Sequence, residues 1–314
     1  MTLSYGARLL LLSSASFFWL QLLIGALIAF IAPAAIRRAG TMRPQHAAQM
    51  LFALRLLPTA LSTLAVFALC VPSYLRFEPR VAQEEVGVAC AAAALFGACL
   101  CALAIFKTLS ALIRSALYVR QCGGREASLE GETVWIVRES AGLALAGIVH
   151  PRLLISERAM SGLSSDQLAV ALRHERAHRV SRDNLKRLLF LLAPAIFPAL
   201  RRLEQAWVQC SEWSADDCAA EGDADRSLTL AAALVQVARL QSGLGPQPLV
   251  TSLVEADEDL SLRVDRLLHA APVREVNPRA EVLVAMFGAA TIAAIAVNPV
   301  TLRIVHQLLE KLLD

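Results

Sequence analysis

Charge is scarce in this sequence. Only 18% of its 314 residues are Asp, Glu, Lys or Arg, against 56% hydrophobic, and the mean hydropathy of +0.53 is too high for a typical soluble domain. Aromatic residues are few as well, at 6%, and no basic run interleaves with them. Together with a net charge of only +3, this argues against direct binding to nucleic acid. The seven cysteines lack C-x-x-C spacing, so no disulfide framework is expected. Cys70, Cys90, Cys99 and Cys101 fall in apolar runs and read as small packing residues, and Cys210 and Cys218 as inert helix positions. The stretch Gln121-Cys-Gly-Gly-Arg-Glu126 lacks the spacing of a phosphate-binding loop, and there are no internal repeats.

What the chain has instead is long uncharged runs. Leu9–Ile36 holds 28 such residues, Leu56–Leu75 holds 20, and Val86–Phe106 and Val282–Leu302 hold 21 each. About 20 apolar residues cross a bilayer as a helix, so four spans are expected. The first is too long for the apolar core of a signal peptide. Arg37, Arg38 and Arg43 follow the first run, and Lys107, Arg114, Arg120 and Arg125 follow the third. Between the second and third, Arg76 and Arg80 are balanced by Glu78, Glu84 and Glu85. By the positive-inside rule, residues 37–50 and 107–280 face the cytoplasm and both termini face out. The expected organisation is therefore a three-helix membrane domain over 1–106, a cytoplasmic domain over 107–281, a fourth span over 282–302 and a short amphipathic tail over 303–314.

Within 107–281, Thr108–Val119 continues the third span as a helix. Val134–Arg138 and Arg152–Ser156 have the character of strands, and Leu143–Val149 is expected as an edge strand. Leu188–Leu200 is an apolar run broken by Pro194 and Pro198, too short to span and read as re-entrant, interfacial or buried. Lys186, Arg187, Arg201 and Arg202 flank it where headgroups would anchor them. Helices are expected over Leu203–Glu221, Leu228–Leu240 and Asp259–Leu268, with a linker at Gly243–Pro248.

The chemistry concentrates at His174-Glu175-Arg-Ala-His178. Ser164 followed by Gln167 is a capping box, and Asp166 suits the first turn of a helix. On that helix His174 and His178 stand four residues apart and leave one face, which suits two nitrogens binding one zinc ion with Glu175 beside them as general base. A catalytic zinc takes three protein ligands, so a third is needed. Glu212 is the choice. It sits mid-helix, with Asp216 one turn on to orient a histidine, and with small Ala215 and Ala219 allowing close approach. Glu204 and Glu221 are its rivals, and by position alone the acidic residues around Glu212 also fit a solvated helix face.

These residues carry a family resemblance. His174–His178, then Arg182-Asp183-Asn184, then Glu212-Trp-Ser-Ala215-Asp216-Asp-Cys-Ala219, with Gly147–Ser156 upstream, resemble the integral-membrane zinc peptidases of the BlaR/MecR type. Those are gluzincins related to the HtpX and CAAX-protease group. The resemblance spans almost the whole chain and implies a mainly α membrane protein with an α+β gluzincin domain between the third and fourth spans. It implies His174, His178 and Glu212 as ligands of one zinc ion, Glu175 as general base and Asp216 as partner of a ligand. Arg263 resembles a downstream family arginine, either facing the substrate or oxyanion or making a structural salt bridge. The chain departs from the antibiotic sensors in having only residues 303–314 after the last expected span, so a penicillin-binding sensor domain is not expected.

The expected function is a zinc metalloendopeptidase of the bacterial inner membrane, active in regulated proteolysis and signal transduction as an antirepressor. Its partners would be a protein or peptide substrate such as a transcriptional repressor, or the chain itself, together with the bilayer, a separate sensor protein and a second copy of the chain. The substrate is expected to lie along the edge strand at Ala144 and Ala146. The alternatives are quality-control proteolysis of the HtpX kind and a non-proteolytic membrane transducer.

Overall fold

In lipid a chain must satisfy its own backbone polar groups, and long uninterrupted helices do so. The computed structural model describes residues 4–78, 87–138, 142–148, 150–241, 250–252, 257–269 and 299–313. Three of its helical stretches are long and apolar enough to cross a membrane. The first is α1 (Tyr5–Ala39). In the second, α2 (Pro44–Ala65) passes through a π-helical segment, Val66–Cys70, into α3 (Val71–Phe77), which makes one helix of 34 residues. Pro72, which has no backbone N–H, lies two residues after that segment. The third is α4 (Val88–Gln121), which carries residues 88–106 of the third uncharged run and continues well beyond it. Leu23, Phe30, Phe67 and Phe106 are each more than 65% exposed on these helices, a surface suited to lipid. α4 meets α1 closely at Gly97, where a Cβ would collide with the Ser14 carbonyl oxygen.

Beyond the membrane helices lies a small mixed sheet. β1 (Arg125–Leu129) and β2 (Glu132–Val137) form a hairpin across Glu130 and Gly131, both with positive φ, as a tight two-residue turn requires. β3 (Leu143–Ala146), β4 (Arg152–Ser156) and β5 (Val250–Ser252) complete the order β1-β2-β4-β3-β5, with β2 and β4 parallel and the other pairs antiparallel. The helices that follow β4 are α5 (Glu157–Gly162), α6 (Ser165–Ser181), α7 (Asp183–Leu192), α8 (Pro198–Ala220), α9 (Ala224–Gln241) and α10 (Asp257–Leu268). Leu143, Leu145, Leu153 and Ile155 pack on one face of the sheet with Val170 of α6 and Leu234 of α9. On the other face Ala144, Ala146 and Leu154 meet Tyr118 and Val119 of α4.

This sheet corrects one expectation. Ala144 and Ala146 do not lie on a free edge: β3 pairs with β4 on one side, while Ala144 is opposite Ser252 and Ala146 opposite Val250 on the other. All four β3 residues are buried, as suits a strand covered on both faces.

The apolar run over 188–200 is a helical hairpin buried against the membrane helices. Phe190, Leu200, Leu203 and Trp207 share a core with Ile28 and Ala32 of α1 and Leu51 of α2. Gln21 Nε2 donates to the Pro194 carbonyl at 3.3 Å, and Arg55 Nη2 to the Ala193 carbonyl at 2.9 Å. Gly25 leaves room for the Phe197 ring, which a Cβ there would approach to 3.1 Å.

A last helix, α11 (Pro299–Leu313), packs on α3, where Ser73 Oγ donates to the Leu302 carbonyl at 2.7 Å. At the same end of the bundle Arg8 pairs with Glu78, both buried, at 3.4 Å. The expected linker at 243–248 lies outside the described residues, as does the expected fourth span apart from its last residues, 299–302, which open α11.

Candidate metal centre

α6 begins where local chemistry says it should. Gln167 N–H donates to Ser164 Oγ at 3.3 Å and Ser164 N–H donates to Gln167 Oε1 at 3.0 Å, so both halves of the capping box form. Three turns on, His174, Glu175 and His178 are all fully buried. α8, which crosses behind, brings in Glu212, 3% exposed.

The donor atoms converge. His174 Nε2 and His178 Nε2 are 3.1 Å apart, Glu212 Oε2 is 3.5 Å from His174 Nε2, and Glu212 Oε1 is 3.5 Å from His178 Nε2. Ligand atoms about 2.0–2.1 Å from a tetrahedral zinc ion stand about 3.3 Å from one another, so the spacing fits such an ion. The buried oxygens of Glu175 accept no hydrogen bond, and Glu212 Oε1 has only the His178 contact at 3.5 Å. Leaving a buried carboxylate so costs free energy, and a cation among these donors would offset it.

Each imidazole is held from behind by an aspartate. Asp216 Oδ1 lies 3.0 Å from His174 Nδ1. Asp183 Oδ2 lies 2.7 Å from His178 Nδ1 and also accepts from Ser211 Oγ at 2.8 Å, while Lys186 Nζ donates to Asp183 Oδ1 at 3.0 Å. Asp183 reaches back because Arg182, between α6 and α7, adopts the left-handed conformation (φ 56°) and turns the chain. Sequence reasoning assigned Asp183 no role; an acidic residue just past the end of the motif helix was the available signal. Next to it, Asn184 Nδ2 donates to the carbonyls of Leu145 (3.0 Å) and Gly147 (2.8 Å), which fastens β3 to the start of α7.

Arg263 belongs to this network. Its guanidinium forks onto Asp216 (Nε to Oδ2 2.9 Å, Nη2 to Oδ1 2.7 Å), and its Nη1 stands 3.1 Å from Glu212 Oε2. One turn on, Arg266 Nη2 grips Asp217 at 2.6 and 2.8 Å, so two adjacent ion pairs dock α10 on α8. With its three nitrogens facing Asp216 and Glu212, Arg263 acts here as a structural ion pair.

The charges are mutually dependent. Burial alone would depress both histidines, but Asp216 and Glu212 raise His174, and Glu212 and Asp183 hold His178 well above the usual range. Burial opposes the ionised form of Glu212, yet His178 and Arg263 keep its carboxyl well below the ordinary value. Asp216 and Asp183 are likewise lowered against burial, by Arg263 and His174 and by His178 and Lys186 respectively. Glu175 differs: burial dominates and pushes it up to about 7. Cys210, also on α8, is pushed up by burial to about 11, which suits packing and not ligation.

The rival glutamates are engaged elsewhere. Glu204 pairs with Arg55 at 3.4 Å, not with Arg201 or Arg202, and Glu221 pairs with Arg226 at the left-handed end of α8. Among the described residues, His174, His178 and Glu212 are the one group of three or more such side chains placed to hold a metal ion.

No protein-family model and no curated protein matches this chain.

Proposed function

We propose that this chain is a zinc endopeptidase of a bacterial inner membrane that cuts a cytoplasmic or membrane-proximal protein in regulated proteolysis. The observation that carries the reading is the convergence of His174, His178 and Glu212 on one point, with Glu175 next to His174 and free of hydrogen bonds. A zinc ion, when bound, supplies polarisation of the scissile carbonyl and a lower pKa for water. The chain supplies the rest. Glu175 takes a proton from the attacking water onto a carboxylate oxygen and passes it to the leaving amine, a role typically worth ~10²–10⁴-fold. Asp216 and Asp183 fix the orientation of the two imidazoles, and Arg263 holds Asp216 and Glu212 in place.

The cytoplasmic orientation rests on the arginine asymmetry. A fourth crossing over 282–302 belongs to the same proposal. The metal group lies towards the α2 end of the 34-residue Pro44–Phe77 helix, about 50 Å long, while α11 packs at its α3 end. The test is metal analysis of the purified chain together with casein cleavage. About one zinc per chain and chelator-sensitive cleavage are expected, with Glu175→Gln retaining zinc and losing cleavage. Absence of zinc, or undiminished cleavage by the variant, would overturn the reading. Proteomics of wild-type and Glu175→Gln cells should then reveal the substrate as a protein that accumulates uncut.

A further inference from the structure

Away from the metal centre, a cavity of about 480 Å³ opens where α2, α4 and the hairpin between α7 and α8 meet. Its charged lining consists of Arg55, Lys107 and Arg201 against a single acid, Glu204. Each cation stands where an apolar run begins or ends: Arg55 just before Leu56–Leu75, Lys107 just after Val86–Phe106, and Arg201 just after the hairpin. The cavity therefore sits at the level expected of lipid headgroups. Its remaining wall includes Leu100 and Leu103 of α4, and Leu103 is 55% exposed on the lipid-facing surface.

Two features set this lining apart from an ordinary charged rim. Arg55 is 2% exposed, and although its Nη2 reaches Glu204 and two carbonyls, its Nε has no hydrogen-bond partner. Lys107 is exposed and makes no ion pair among the described residues. Two positive charges remain after Glu204 is counted, and basic pockets between membrane helices recognise anionic headgroups. Arginine in particular suits the oxygens of a phosphate group.

We infer that this cavity binds the phosphate of an anionic phospholipid, with the acyl chains along Leu100 and Leu103 of α4. The shared chemistry is a phosphate anion, and the apolar wall favours lipid over free phosphate. The walls include α7 and α8, the helices that also carry Asp183 and Glu212.

Native mass spectrometry of the full chain in uncharged detergent tests this, with dioctanoyl phosphatidylglycerol, dioctanoyl phosphatidylcholine and inorganic phosphate as probes. The wild type should retain phosphatidylglycerol in preference to phosphatidylcholine. The double variant Lys107→Gln, Arg201→Gln changes two exposed side chains and should weaken that retention by about tenfold or more. The pair Arg37→Gln, Arg38→Gln removes the same charge at the end of α1, outside the cavity, and should leave retention unchanged. Equal retention of the two lipids, or equal loss in both double variants, would overturn the site. Displacement of the lipid by millimolar inorganic phosphate would overturn the assignment to lipid. Circular dichroism and gel filtration on both variants establish that they are folded.

Discussion

At the candidate metal centre, the two aspartates do matching work from different directions. Asp216 arrives on α8, one turn beyond Glu212, whereas Asp183 arrives by a left-handed turn at the end of the motif helix. A carboxylate on the outer nitrogen of a ligating histidine fixes its tautomer, and removing one typically costs ~10–100-fold in metal affinity or activity. Asp183→Asn, nearly isosteric, should therefore lower zinc affinity by about that factor. Competition against a chromogenic chelator measures it, and wild-type affinity would show that His178 needs no such partner. The third ligand is open to a sharper comparison. Glu212→Ala should lose most bound zinc and all cleavage, while Glu204→Ala, whose carboxylate faces Arg55, should keep both. Zinc retained in Glu212→Ala and lost in Glu204→Ala would reverse that choice.

At the scale of elements, α6 is secured at its start by the Ser164–Gln167 box and along one face by the sheet. Losing an N-cap side chain costs about 1 kcal/mol. Ser164 is exposed, so Ser164→Ala creates no cavity and reports on the cap alone. The expected result is a lower thermal or denaturant midpoint, corresponding to roughly 1 kcal/mol, with metal content unchanged at low temperature. An unchanged midpoint would mean that packing alone holds the helix start. β3 shows the opposite dependence. Its position comes from β4 close by and from partners distant in the chain, namely β5, Tyr118 and Val119 of α4, and the Asn184 side chain.

For the whole molecule, the membrane helices and the His174–His178–Glu212 group are joined without an intervening linker. α4 runs from the bilayer into the outer layer of the sheet, and the α7–α8 hairpin is buried against α1 and α2. The proposed orientation predicts that reporter fusions at Met42 and Gly243 give cytoplasmic signals and that a fusion at Glu78 gives an extracytoplasmic one. An extracytoplasmic signal at Gly243 would invert the molecule and place the metal centre outside.

By itself, the sequence determined what local rules govern. Uncharged runs of spanning length, the capping box, and two histidines four residues apart depend on neighbours within a turn or two. The helices they imply are present where described. The strands at 134–138 and 152–156 were legible from β-branched residues, but β1 (Arg-Glu-Ala-Ser-Leu) was not, because it is a short, mostly polar outer strand without a β-branched residue. Strand order and the interior position of β3 were hidden because pairing joins residues far apart in the chain, and period-two patterning carries no record of the partner. The four apolar residues of β3, Leu-Ala-Leu-Ala, carry no polar alternation, and burial on both faces makes it an interior strand and not the edge its sequence suggests. Only the tertiary structure decided that Asp183 returns to His178, that Arg263 closes onto Asp216 and Glu212, and that Arg55, Lys107 and Arg201 share one cavity. Each depends on how helices cross, and that is set by packing between surfaces rather than by the order of residues along any one of them.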